Sequence, residues 1–224
     1  MRLILQVLGR LQSSYNEVEF TVDESESIKE RLSSRALARK LGSSKIILLV
    51  PESLVTEIVT DENEAKELLS NRDELANRVY SKLRNGLLDD SDISVLIMQS
   101  VGTYHANGKF YINFLNAIDN IVVSLIFDLL ERVQGEYEEI ILDVSTGHNI
   151  YVTSLIDTVR NIIVYLKLEK IIKGERVPKF EIAYSPPVLS SSKDVCYPIK
   201  RYEFDVKAFF HLPIKKLEKL MKNY

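Results

Sequence analysis

The densest run of polar, small and titratable residues in the chain is Asp143-Val-Ser-Thr-Gly-His-Asn149. It follows an apolar stretch, Glu139-Ile-Ile-Leu-Asp143, that reads as a strand, and it precedes a long helical pattern. Ser145 and Thr146 offer hydroxyls, and Gly147 lets a ligand approach the backbone closely. The unpaired N–H groups and partial positive charge at the start of the following helix favour an anion, phosphate above all. The same residues serve equally well as a helix cap, with Ser145 or Thr146 satisfying backbone N–H groups and Asp143 tying the turn together. His148 is equally an ordinary first-turn residue. A second polar loop, Gly9 to Asn16, leaves the first apolar run, Arg2 to Leu8.

The surrounding pattern shows what positions these loops. Arg2–Leu8 and Lys45–Val50 are mostly apolar runs that suit strands buried on both faces. Between them, Val18–Val22 is a short alternating β segment. Ser27-Ile-Lys-Glu30 matches a capping box, with a predicted helix running from there through Ile28, Leu32, Ala36 and Leu37 to Gly42. Strand, helix, strand in that order implies a parallel pair. Residues 52–88 read as a charged, peripheral helical excursion with Leu68, Leu69, Leu75, Val79 and Leu83 as its buried stripe. A strand near Ser94–Gln99 is followed by a hairpin turning at Asn107-Gly108, and a helix is predicted over Asn113–Gln134, closed by Gly135. After Asn149 a helix runs to about Ile172. Then come a strand at Phe180–Tyr184, a loop with Pro186-Pro187 and Ser190–Ser192, and a final β segment at Tyr197–Phe204. The basic tail, Leu212–Tyr224, has a helical pattern and a solvated face. In open parallel sheets ligands bind beyond the carboxyl ends of the strands, where strand order reverses, which singles out both polar loops.

Several function classes lose their physical basis. A formal net charge of −3 gives no global field for long nucleic acid. Cys196 is the one cysteine, so neither a disulfide framework nor a Cys-rich zinc site is expected, and a reducing cytoplasm is the natural home. No segment approaches the roughly 20 apolar residues of a membrane span. Gly-x-Gly-x-x-Gly, Gly-x4-Gly-Lys-Ser/Thr and Gly-x-Ser-x-Gly are all missing, and His105, His148 and His211 stand far apart. No cofactor and no metal is expected. Tyr104, Phe110 and Tyr111 read as hairpin packing.

The segment Ile140-Ile-Leu-Asp-Val-Ser-Thr-Gly-His-Asn149 resembles the motif after the fourth strand of CARF (CRISPR-associated Rossmann fold) domains of type III CRISPR accessory proteins, in the group with an Asp-x-Thr-His-Gly signature. The N-terminal strand, Glu19–Val22, the helix through Arg31 and Arg35, and Ile46–Val50 are similar as well, so the resemblance covers residues 1 to about 205. Thr146 stands where the family often has His, and His148 follows the glycine instead of preceding it. The resemblance implies an α/β, Rossmann-like fold: a mainly parallel sheet flanked by helices, with a helical excursion and a C-terminal β segment. It implies a sensor domain over 1–205, with 206–224 as a linker or helix leading to an absent effector. It further implies a homodimer binding a cyclic oligoadenylate, the tetra-adenylate first, between Gly9, Arg10, Ser13 and Ser14 on one side and Ser145, Thr146, Gly147, His148 and Asn149 on the other. Such sensors often regulate a HEPN ribonuclease, but none of the three histidines has an arginine four to six residues before it in an Arg-x4-6-His motif; nine residues separate Arg201 from His211. Within the same resemblance the alternatives are a ring nuclease, with Arg10, Ser14 and Ser145 positioning phosphate and His148 as acid or base, and the ligand-binding part of a transcription regulator.

Overall fold

The computed structural model describes residues 1–11, 16–84, 92–106, 109–133, 137–186 and 195–206. The predicted site residues Ser13 and Ser14, the Asn107-Gly108 turn, Gly135, Pro187, the serine cluster and the tail from 207 onward lie outside them.

The strands are β1 (Arg2–Val7), β2 (Val18–Val22), β3 (Ile28–Glu30), β4 (Ser44–Pro51), β5 (Ile93–Met98), β6 (Val101–Ala106), β7 (Phe110–Leu115), β8 (Glu139–Asp143), β9 (Lys179–Tyr184) and β10 (Cys196–Glu203). The helices are α1 (Ser33–Leu41), α2 (Glu62–Ser70), α3 (Arg72–Arg84), α4 (Ile118–Val133) and α5 (Asn149–Lys173), with a 3-10 turn over Glu52–Glu57. Eight strands form one sheet in the order β3-β2-β10-β9-β8-β1-β4-β5, and β6 and β7 form a separate hairpin. From β5 to β9 every neighbour is parallel. β10 runs antiparallel to β9, β2 runs parallel to β10, and β3 turns back on β2. This is a Rossmann-like α/β fold with a mostly parallel sheet between helical layers.

The period-2 geometry of a strand explains why the central runs are apolar throughout. Leu3, Leu5 and Val7 of β1 join Ile140 and Leu142 of β8 under α4 and α5. Ile4 and Leu8 face the other way, with Ile46, Leu48 and Val50, under α1, α2 and α3. One β1 residue breaks the pattern: Gln6 is fully buried among these apolar neighbours.

Three expectations need correction. Ser27–Glu30 is not a capping box, because Ile28–Glu30 pairs antiparallel with β2 and the helix begins only at Ser33. Glu30 is instead a buried carboxylate held by Arg35 at 3.0 Å and Arg39 at 2.9 Å. The helical excursion is present but not peripheral: Ala65, Leu68, Leu75, Val79 and Leu83 are buried in the same core as β1 and β4. α4 starts at Ile118 and not at Asn113, because β7 continues through Leu115.

Candidate functional site

Strand order reverses around β1. Apart from the β2–β3 hairpin at the far edge, the chain builds β1, β4 and β5 outward on one side and later β8 and β9 outward on the other, so the carboxyl ends of β1 and β8 flank the switch point. Both polar loops emerge there, and they touch. A Cβ built on Gly9 would lie 3.3 Å from the Cα of Gly147. Gly147 itself has φ +105°, and a Cβ there would meet Val7 Cγ1 at 2.8 Å. Glycine is required at Gly147 both by backbone conformation and by space.

The loop after β8 is fixed by a polar network beneath it. Asp143 is fully buried. Its Oδ1 accepts from the Ser145 N–H at 3.0 Å, and its Oδ2 accepts from the Ser33 hydroxyl at 2.5 Å. Burial away from water pushes the Asp143 carboxyl up from its ordinary value, against the hydrogen bonds from Ser145 and Ser33. The Gln6 amide nitrogen donates to Ser33 Oγ at 3.0 Å and to Thr146 Oγ1 at 2.8 Å. Thr146 Oγ1 in turn donates to the Val7 carbonyl at 2.9 Å. The network therefore ties β1, the first residue of α1 and the end of β8 into one piece. A buried network of this kind holds its members in one arrangement.

Above this network lies a cup of about 270 Å³ lined by Leu8, Gly9, Arg10, Leu32, Thr146, Gly147 and His148. α5 starts at its rim. The carbonyl of His148 accepts from Tyr151 N and Val152 N at 3.0 and 3.1 Å, and the first turn carries no acidic residue to compete for an anion. Tyr151, in the first turn of α5, is buried, and its hydroxyl meets that of Tyr104 at 2.6 Å, which anchors the β6–β7 hairpin to this end of the helix. Burial first, and then that hydrogen bond, pushes the Tyr104 phenol up to about 12.

The structure brings together Gly9, Arg10, Thr146, Gly147 and His148. Ser145 does not line the cup. It borders a neighbouring cavity, and its hydroxyl is buried against the Asp143 carboxyl. Asn149 is exposed at the first residue of α5 and is also outside the lining. Leu32, Ser33 and Gln6 were not anticipated. Gln6 carried a legible signal, a polar residue inside an otherwise apolar strand run. The α1 residues did not, because the helix start was placed too early. Among the described residues, no group of three or more His, Cys, Asp or Glu is placed to hold a metal ion, and no helix is long and apolar enough to cross a membrane.

None of the curated proteins matches the chain. A protein-family model does, and it spans both loops of the cup together with β1, β4, β5, β8 and β9. That model, described as CRISPR system endoribonuclease Csx1, CARF domain, matches residues 3–187, and the chain belongs to this family.

Proposed function

We propose that this CARF domain senses a cyclic oligoadenylate, the tetra-adenylate in the first instance, as the regulatory part of a cytoplasmic type III CRISPR ribonuclease effector. The observation that carries the reading is the contact between Gly9 and Gly147 at the switch point, which joins two strand-end loops and a helix amino terminus into one cup. Phosphate oxygens are met there by backbone N–H groups and by Arg10.

A homodimer belongs to the same reading. A cup of about 270 Å³ is smaller than the roughly 300–1,000 Å³ of ordinary small-molecule sites. A ring of four nucleotides therefore needs two cups facing each other across a two-fold axis, each treating half of the ligand identically. Exposed apolar side chains supply a face for the second copy: Tyr111 and Leu115 on β7, and Val123 and Phe127 on α4.

Arg10 and His148 share the cup, which favours a second reading in which the bound ring is also cleaved. A ribose 2′-hydroxyl would lose its proton and attack the adjacent phosphorus while the bond to the 5′-oxygen of the next ribose breaks and that oxygen takes up a proton, leaving a 2′,3′-cyclic phosphate and a free 5′-hydroxyl; the step depends on in-line positioning and on stabilising charge at the phosphate. Calorimetric titration with cyclic tetra- and hexa-adenylate tests the first reading, with one tetra-adenylate bound per dimer as the expected result. A folded, dimeric sample that binds neither ring overturns it. Linear products after incubation with labelled ring establish the second.

A further inference from the structure

The 3-10 turn after β4 ends at Glu57, whose carboxylate reaches across to the loop that leaves β1. Its Oε2 accepts from the Leu11 N–H at 2.7 Å. The two segments are neighbours because β1 and β4 pair in parallel, Val7 opposite Leu49, so their carboxyl ends emerge side by side. The turn is a firm mount. Ser53, Leu54, Val55 and Thr56 are buried, the Ser53 N–H donates to Ser100 Oγ at 2.9 Å, and Lys82 of α3 donates to the Glu57 carbonyl. Leu11 is itself buried in the core that β1 and β4 share. Arg10 therefore stands between two fixed residues: Gly9, close against Gly147, and Leu11, held by its side chain in the core and by its N–H at Glu57.

On charge alone a carboxylate is a poor choice here. Arg10 lines a cup read as an anion site, and a negative charge near it repels an anion through space. What a carboxylate offers in return is a charge-assisted hydrogen bond, about twice as strong as a neutral one, and hence a tighter hold on the loop. We propose that Glu57 is a positioning residue for ligand binding: by clamping Leu11 it fixes the backbone of Arg10, so that the guanidinium is presented to a phosphate in the cup. The proposal rests on the nucleotide reading of the cup. It adds to that reading a residue outside the cup lining, acting through Arg10, and it gives α3 a part in the receptor through Lys82.

The test is titration of cyclic tetra-adenylate into the wild-type chain, Glu57→Gln, Glu57→Ala, Arg10→Ala and the double variant Glu57→Ala with Arg10→Ala, each checked by thermal unfolding and by amide hydrogen exchange at Leu11. The Glu57 side chain is exposed, so these changes leave the core untouched. Glutamine keeps an acceptor and removes the charge, and Glu57→Gln is expected to bind at least as tightly as the wild type. Glu57→Ala is expected to exchange faster at Leu11 and to lose about five- to twentyfold in affinity, the worth of one hydrogen bond to a charged group. In the Arg10→Ala background that loss is expected to vanish, because the two residues act as a unit. Binding by Glu57→Ala as tight as by the wild type overturns the positioning role, and so does an equal loss with and without Arg10, which is what general support of the loop gives; both leave the cup reading standing. Failure of the wild type to bind the ring overturns the cup reading and this proposal with it.

Discussion

Gly9 and Gly147, far apart in sequence, approach so closely that a Cβ on the first would stand 3.3 Å from the Cα of the second. The two positions differ in how much they tolerate. Gly147→Ala puts a Cβ 2.8 Å from Val7 Cγ1 and 3.2 Å from Val152 Cγ2, at φ +105°. It is expected to cost about 2–5 kcal/mol in urea unfolding. Gly9→Ala needs only a small adjustment and is expected to cost about 1 kcal/mol while weakening ring binding. Wild-type stability in Gly147→Ala would disprove this account of the loop.

Asp143 gives the fold a pH dependence with a definite sign. Its folded-state pKa is raised above the ordinary value of 3.8, chiefly by burial. Between the two values the folded state holds a proton that the unfolded chain has released, so stability falls as pH rises through that window. Asp143→Asn carries no such titration. The wild type is therefore expected to gain stability relative to Asp143→Asn as pH is lowered from ~7 to ~4. Parallel stability curves for the two proteins contradict the raised pKa.

Leu83 measures whether the helical segment after β4 belongs to the core. The side chain is 1% exposed. Leu83→Ala is expected to cost about 2–4 kcal/mol by denaturant titration. A loss below about 1 kcal/mol is what a solvated, detachable excursion gives.

Phe127 reports on the proposed second copy. Its ring is 69% exposed on α4, so Phe127→Glu leaves the core untouched. The variant is expected to keep its circular dichroism spectrum, to sediment as a monomer where the wild type sediments as a dimer, and to bind the cyclic ring more weakly. A dimer unaffected by this change places the association face elsewhere.

What the sequence revealed follows from where local and tertiary forces agree. β1 and β8 were legible because strands buried on both faces are apolar throughout and end abruptly at polar turns. The loop at 145–149 was legible because small and polar residues follow such a strand directly. The start of α1 was not. Ser27 and Glu30 have capping-box spacing, but pairing with β2 and the two arginines that neutralise Glu30 override that local signal. The end of β7 was misread for a similar reason: Phe114 and Leu115 fit a helical stripe as readily as a hairpin arm. The second cavity was beyond reach, since its walls come from β2 and β10, which are remote in sequence and meet only in the finished sheet.

The seat of β10 governs when the sheet can be completed. Because β10 lies between β9 and β2, the β2–β3 hairpin has no place in the eight-stranded sheet until residues 196–203 have emerged from the ribosome. β1, β4, β5 and β8 close over shorter stretches of chain and form the natural nucleus, while the hairpin waits, because closing long loops is slow. The β3-β2-β10 edge is accordingly the last part of the sheet to be assembled, and nascent chains hold the parallel core well before they hold all eight strands.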